Sequence, residues 1–267
     1  MFDPLYLLLV LLPGLLISGG ASYLVKSTFK KYSQVRSRNG YTGAQAAQKL
    51  LDNAGIHDVQ VVRSHGYLSD HYNPTTKQLA LSHPVYDSNS IAAVGVATHE
   101  AGHAIQHATA YGPLSWRSAI VPLAQFGSSA GYFAMFGGLL LMTASPALGR
   151  WVVLLGAVLF ALMLLFQIIT LPVEYNASAR ANVLVVESGI VYPDERKGID
   201  KVLNAAALTY VAAAVSTALT LVYFLIRSGI LGGDDEPIAP THSLVTSGCP
   251  PEVFLAISDQ SPPTLHV

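Results

Sequence analysis

The sequence predicts a mainly α membrane protein, with four transmembrane helices carrying a small α+β portion made of a short sheet and one polar-faced helix. Three observations lead there. Of 267 residues, 51% are hydrophobic and 12% charged, whereas soluble domains carry roughly 25% charged residues. Four stretches, Pro4 to Val25, Ala119 to Ser145, Trp151 to Leu171 and Val202 to Ile226, approach the roughly 20 apolar residues that cross a bilayer core. Between the first two lie strand-like runs and then a helical pattern from Ser90 to about Thr109.

The first stretch, residues 4–25, begins without a basic residue and is followed by Lys26, Lys30, Lys31, Arg36 and Arg38. That polarity suits an anchor rather than a cleaved signal. Residues 26–118 form the region expected to carry the chemistry. Within it Thr42 caps a helix that stops at Gly55, and Val59 to Arg63 is β-branched and short, hence a strand. Gly66 to Ser82 reads as a hairpin about the Asn73-Pro74-Thr75-Thr76 turn, with Asp70, His71 and Tyr72 clustered at one end. Such a sheet offers an edge on which an extended peptide can pair.

Residues 119–145 are the most interrupted span, broken by Pro122, Gln125, Ser128 and Ser129; alternatively, Gly127, Ser128 and Gly131 mark a closely packed helix face. Residues 151–171 form the third span. In residues 172–201, Pro172 is placed to begin a separate helix, and residues 202–226 form the fourth span. The Gly, Asp and Pro content of residues 231–267 predicts a tail without fixed structure.

A net charge of −1 argues against a nucleic-acid partner, which would call for a basic patch. One cysteine, Cys249, excludes an intramolecular disulfide and a Cys-rich zinc site. Of fifteen Lys and Arg, nine lie between residues 26 and 117 and four between 180 and 201. By the positive-inside rule these segments face the cytoplasm. Four alternating spans then place both termini outside and the site on the cytoplasmic side.

The helical run from Ser90 contains His99-Glu100-Ala-Gly-His103. Two imidazoles four residues apart share one helix face and can bind a single Zn²⁺. Glu100 is then placed to take a proton from water at the metal. The α+β portion is therefore expected to be zincin-like. His107 lies one turn further, but three ligands along a straight helix converge poorly on a tetrahedral ion; its expected role is to support the site. Gln106 and Thr109 stand where the extended metzincin motif needs Gly and His.

A third ligand must come from elsewhere. Glu174, just after the third span and on the same side as His99, is the candidate; its competing role is a carboxylate stabilised by a helix N-terminus. Ser178, one turn later, can hydrogen-bond a ligand. Arg180 can pair near the site or bind a substrate carbonyl. His71, Tyr72, Tyr175 and Arg180 are the candidates for stabilising an oxyanion.

Three pieces, Leu68-Ser-Asp-His-Tyr-Asn-Pro, Val96-Ala-Thr-His-Glu-Ala-Gly-His-Ala-Ile-Gln-His and Leu171-Pro-Val-Glu-Tyr-Asn-Ala-Ser, together resemble the YugP-like neutral zinc metallopeptidases of bacterial membranes. The resemblance covers about residues 1–226. It implies a gluzincin-like peptidase of the bacterial inner (plasma) membrane, acting on protein or peptide substrates, with one Zn²⁺ per chain held by His99, His103 and Glu174 and with Glu100 as base. Asn73 departs from an expected Asp. Ser178 stands where the related HtpX-like and CAAX prenyl proteases carry Asp. The alternative is a membrane scaffold or assembly protein with a structural zinc site, which would close the fourth coordination position with protein.

Overall fold

The computed structural model describes residues 3–66 and 69–231. The tail expected from residue 231 lies outside the described residues from 232 onward, as does Leu68 of the first family-like motif. The chain opens with α1 (Pro4–Tyr6), a π-helical turn (Leu7–Leu11) and α2 (Leu12–Tyr32), which run on as one helix. Next come α3 (Gly43–Asn53), β1 (Gln60–Ser64), β2 (His71–Asn73), β3 (Gln78–Ser82) and the one-turn α4 (His83–Tyr86). The helix α5 (Ile91–Ala108) follows, and then three long helices, α6 (Gly112–Leu141), α7 (Pro146–Glu187) and α8 (Arg196–Arg227).

Local chemistry sets the short elements. Thr42 and Gln45 form a reciprocal capping box at the start of α3, satisfying two backbone donors that the first helical turn leaves free. Gly55, with φ of 71°, ends it in a conformation that side chains disfavour. Ser90 caps α5 by accepting from Ala93 N–H at 3.2 Å. Strand β3 is central, pairing parallel with β1 and antiparallel with β2. Asn73 shapes the β2–β3 turn, its side-chain oxygen accepting from Thr75 and Thr76 N–H.

Two cores hold the described residues together. One gathers Phe29, Leu50, Leu51, Leu79, Leu81, Val85, Ile91 and Ile199 around α5. The other lies along the long helices, with Met135, Val153, Phe160, Tyr223 and Phe224. In the latter α6 and α7 approach through glycine: a Cβ on Gly131 would stand 2.6 Å from Phe160 N, and one on Gly156 2.6 Å from Met135 N. No side chain fits there.

The expectation of four transmembrane helices is corrected. Three helices among the described residues are long and apolar enough to cross a membrane: Pro4–Tyr32, Pro146–Glu187 and Arg196–Arg227. The stretch at 119–145 does lie largely in a helix, α6, but Gln125, Ser128, Ser129 and its glycines dilute its hydropathy. It is the alternative, a closely packed face at Gly127 and Gly131, that the structure adopts. The inference that both termini share one side rested on four crossings and lapses with them. Pro172 also begins no new helix, because α7 runs through it as 42 continuous residues. Proline's φ suits a helix and removes one backbone donor, a loss tolerated in membrane helices.

Candidate metal centre

The site forms where α5 meets α7. His99 and His103 project from one face of α5, their rings 4.7 Å apart and inclined at 82°. Across from them α7 presents Glu174, only 2% exposed. Its Oε2 lies 3.2 Å from His99 Nε2 and 3.5 Å from His103 Nε2. One ligand-type atom from each of the three lies within 4.8 Å of the others. Zinc bonds of about 2.0–2.2 Å in a tetrahedron separate ligand atoms by roughly 3.3–3.6 Å, so this donor set fits that ion. Glu174 lies in the helix interior, which removes the competing reading of a carboxylate at a helix N-terminus.

The helices meet closely because α5 carries Gly102 between the histidines. A Cβ there would stand 2.7 Å from the Ala177 carbonyl oxygen. Both imidazoles are also held from behind. His99 Nδ1 is 3.1 Å from Ser178 Oγ, and His103 Nδ1 is 2.9 Å from Gln106 Oε1. An amide oxygen only accepts, so His103 Nδ1–H donates to Gln106 and leaves Nε2 free as a ligand atom. The Gln106 amide in turn donates to Val173 O at 2.8 Å and Asn176 Oδ1 at 2.9 Å, tying α5 to α7 again.

Electrostatics favour a cation. Burial disfavours the charged form of His103, but the hydrogen bond to Glu174 and the charges of Glu100 and Glu174 outweigh it and raise its pKa above the ordinary histidine value. A buried carboxylate needs a compensating charge, and Arg117 Nη2 of α6 stands 3.8 Å from Glu174 Oε1.

Glu100 lies beside the three donors. Its Oε2 accepts from Tyr72 N–H at 3.1 Å, so β2 at the sheet edge is fastened next to α5. Tyr72 Oη and His107 Nδ1 lie 2.9 Å apart. Burial, with the nearby charge of Asp58, pushes the Tyr72 phenol up, so the hydroxyl stays protonated beside that nitrogen. His107 is exposed and stands outside the three-donor cluster. His71 is exposed, its Nδ1 2.8 Å from Ser69 O. Tyr175 is 45% exposed, and Arg180 Nε donates to Asn176 Oδ1 at 2.8 Å.

Two cavities open beside Glu100 and Glu174, and both are also lined by Asp70 and Tyr210. Tyr210 of α8 and Arg117 of α6 escaped notice in the sequence because one sits within an apolar span and the other at a span's edge. Gln106 carried a readable signal, its spacing of three from His103, which places it on the same helix face.

Residues 7–229 match the model of a family described as "Putative neutral zinc metallopeptidase". The chain belongs to this family. "Putative membrane protease YugP" of Bacillus subtilis (strain 168) is 44% identical over 220 residues, covering 82% of this chain and 94% of that protein. No solved structure matches the chain. The family match spans α5, α7 and α8, so it includes every element that builds the site.

Proposed function

We propose that this chain is an integral membrane zinc metalloendopeptidase that hydrolyses peptide bonds of protein substrates. The observation that carries the reading is the convergence of His99, His103 and Glu174 from two helices, with Glu100 adjacent. His99 Nε2, His103 Nε2 and a Glu174 oxygen would hold the ion. Bound there, zinc supplies a Lewis acid that polarises the scissile carbonyl and lowers the pKa of water toward ~7.

Glu100 takes the proton from the attacking water, and as the C–N bond breaks it delivers that proton to the leaving amine. Tyr72 N–H holds the Glu100 carboxylate in place. Gln106 and Ser178 keep the imidazoles oriented. Tyr210 and Arg117, facing the site from α8 and α6, join His71 and Tyr72 as groups able to stabilise the developing oxyanion.

A structural zinc site would recruit a fourth protein ligand. Among the described residues the cluster comprises three, and cavities reach it, which favours a site open to water and substrate. The relative's membrane-protease name and the three apolar helices support residence in the bacterial inner membrane. The clustering of Lys and Arg at 26–117 and 180–201 supports a cytoplasmic site; a protease-accessible tag beside His99 on the outer face would overturn that orientation.

The decisive experiment measures metal and cleavage together. Purified wild type should hold one zinc per chain and cleave an unfolded protein. Glu100→Gln should keep the zinc and lose cleavage by about 10²–10⁴-fold. Equal cleavage by that variant would overturn the assignment.

A further inference from the structure

The two cavities at the site differ in character. One is walled by Val25 and Phe29 near the end of α2 and by Val202, Leu203, Ala206 and Ala207 in the first turns of α8. These are ends of two helices apolar enough to span a membrane. The other cavity, lined by His71, Tyr72, Arg117 and Ser118 together with Pro74, Leu114 and Val121, is the more polar of the two. Asp70, Glu100, Glu174 and Tyr210 border both, so the cavities are two arms of one cleft that meet at the reacting groups.

Building on the peptidase reading above, we infer that the substrate is a polypeptide cut where an apolar membrane-anchoring segment gives way to polar chain. The last apolar side chain of that segment enters the arm between α2 and α8, and the polar flank lies in the arm beside Arg117. The cavity that contains the apolar arm measures about 160 Å³, the space beside His99, Glu100 and Glu174 included; an engineered apolar cavity of ~150 Å³ takes benzene, so the arm takes no more than a single Leu-, Met- or Phe-sized group. The wall made by Val25, Phe29, Val202, Leu203, Ala206 and Ala207 offers a charged side chain no partner; the carboxylates of Asp70, Glu100 and Glu174 border the arm where it joins the other. Position supports the same occupant. Because the walls belong to spanning helices, a residue at the end of a neighbouring anchor stands at the right depth to enter without leaving the bilayer surface.

The test uses the full chain with zinc in lipid nanodiscs and three fluorogenic peptides of equal length: apolar block then polar block, the reverse order, and all polar. One junction order should be cut at the boundary about tenfold or more faster than the all-polar peptide, the range that one apolar side chain earns in a pocket. Ala206→Phe on α8 and Val25→Trp on α2 each fill the arm and should bring that ratio toward one. Zinc content checks that each variant is folded, and two variants on different helices guard against the failure of one. Glu100-dependent cleavage of all three peptides at equal rates would overturn the inference and leave the peptidase reading standing. A junction peptide that binds zinc-loaded protein but is never cut would sink the peptidase reading and, with it, cleavage at the boundary. Absence of both binding and cutting would remove both.

Discussion

At the residue scale the site depends on small groups that bear no ligand atom. Gln106 and Ser178 fix the direction of the two imidazoles, and removing such partners typically costs 10–100-fold in metal affinity. Gln106→Leu and Ser178→Ala should each weaken zinc binding by about that factor, read by competition with a chromogenic chelator. Gln106→Leu should cost more, because it also removes the two hydrogen bonds by which the Gln106 amide ties α5 to Val173 and Asn176 of α7. Unchanged affinity in both would mean the hydrogen bonds are incidental. Gly102 acts through absence of a side chain. Gly102→Ala places a Cβ where the Ala177 carbonyl already lies, a backbone contact that no rotamer change relieves. Overpacking of this kind costs about 1–3 kcal/mol, and here it pushes His99 and His103 away from Glu174. The expected result is a lower melting temperature together with substoichiometric zinc.

At the element scale, the legibility of each helix tracked how local its cause is. Helix α5 was readable to within a residue, because Ser90 caps it and the chain turns at Tyr111-Gly112-Pro113. The α3 cap and the strands were readable for the same reason. The parallel pairing of β1 with β3 was not, since nothing local sets it. The conduct of α6 and α7 was misread where local rules yield to packing. Pro172 is a proper helix-start signal in isolation, yet the helix before it is long and buried against α6 and α8, and that packing outweighs one lost hydrogen bond. Similarly, the glycines of α6 thinned its hydropathy but built its contact with α7. Of the site, His99, Glu100 and His103 were visible as a motif and Glu174 by residue type and position; Tyr210 and Arg117 have no local signature. The continuity of α7 makes a prediction of its own. Pro172→Ala, which restores a backbone donor without disturbing Glu174, should retain one zinc per chain and melt no lower than wild type. Loss of zinc would show that a proline bend aims Glu174 at the histidines.

At the scale of the whole molecule, metal binding and folding are expected to be one linked equilibrium. The two imidazoles belong to α5, whose apolar face packs in the core shared with the sheet, α3 and the start of α8. The carboxylate belongs to α7, which also contributes Val153 and Phe160 to the second core along the long helices. An ion held by all three therefore adds a tie between helices that already meet at Gly102, Gln106 and Ser178 and through Ala181 and Val185 of α7 in the first core. An ion that binds the folded chain alone, at a free concentration one hundred times its Kd, adds about 2.7 kcal/mol to stability. Wild type should thus melt at a higher temperature with excess zinc than after chelation, at one scan rate and in one detergent. His99→Ala and Glu174→Gln should each abolish most of that shift. The Glu174 variant is the discriminating one: a metal seated on α5 alone would still stabilise it, whereas an ion that joins α5 to α7 would not.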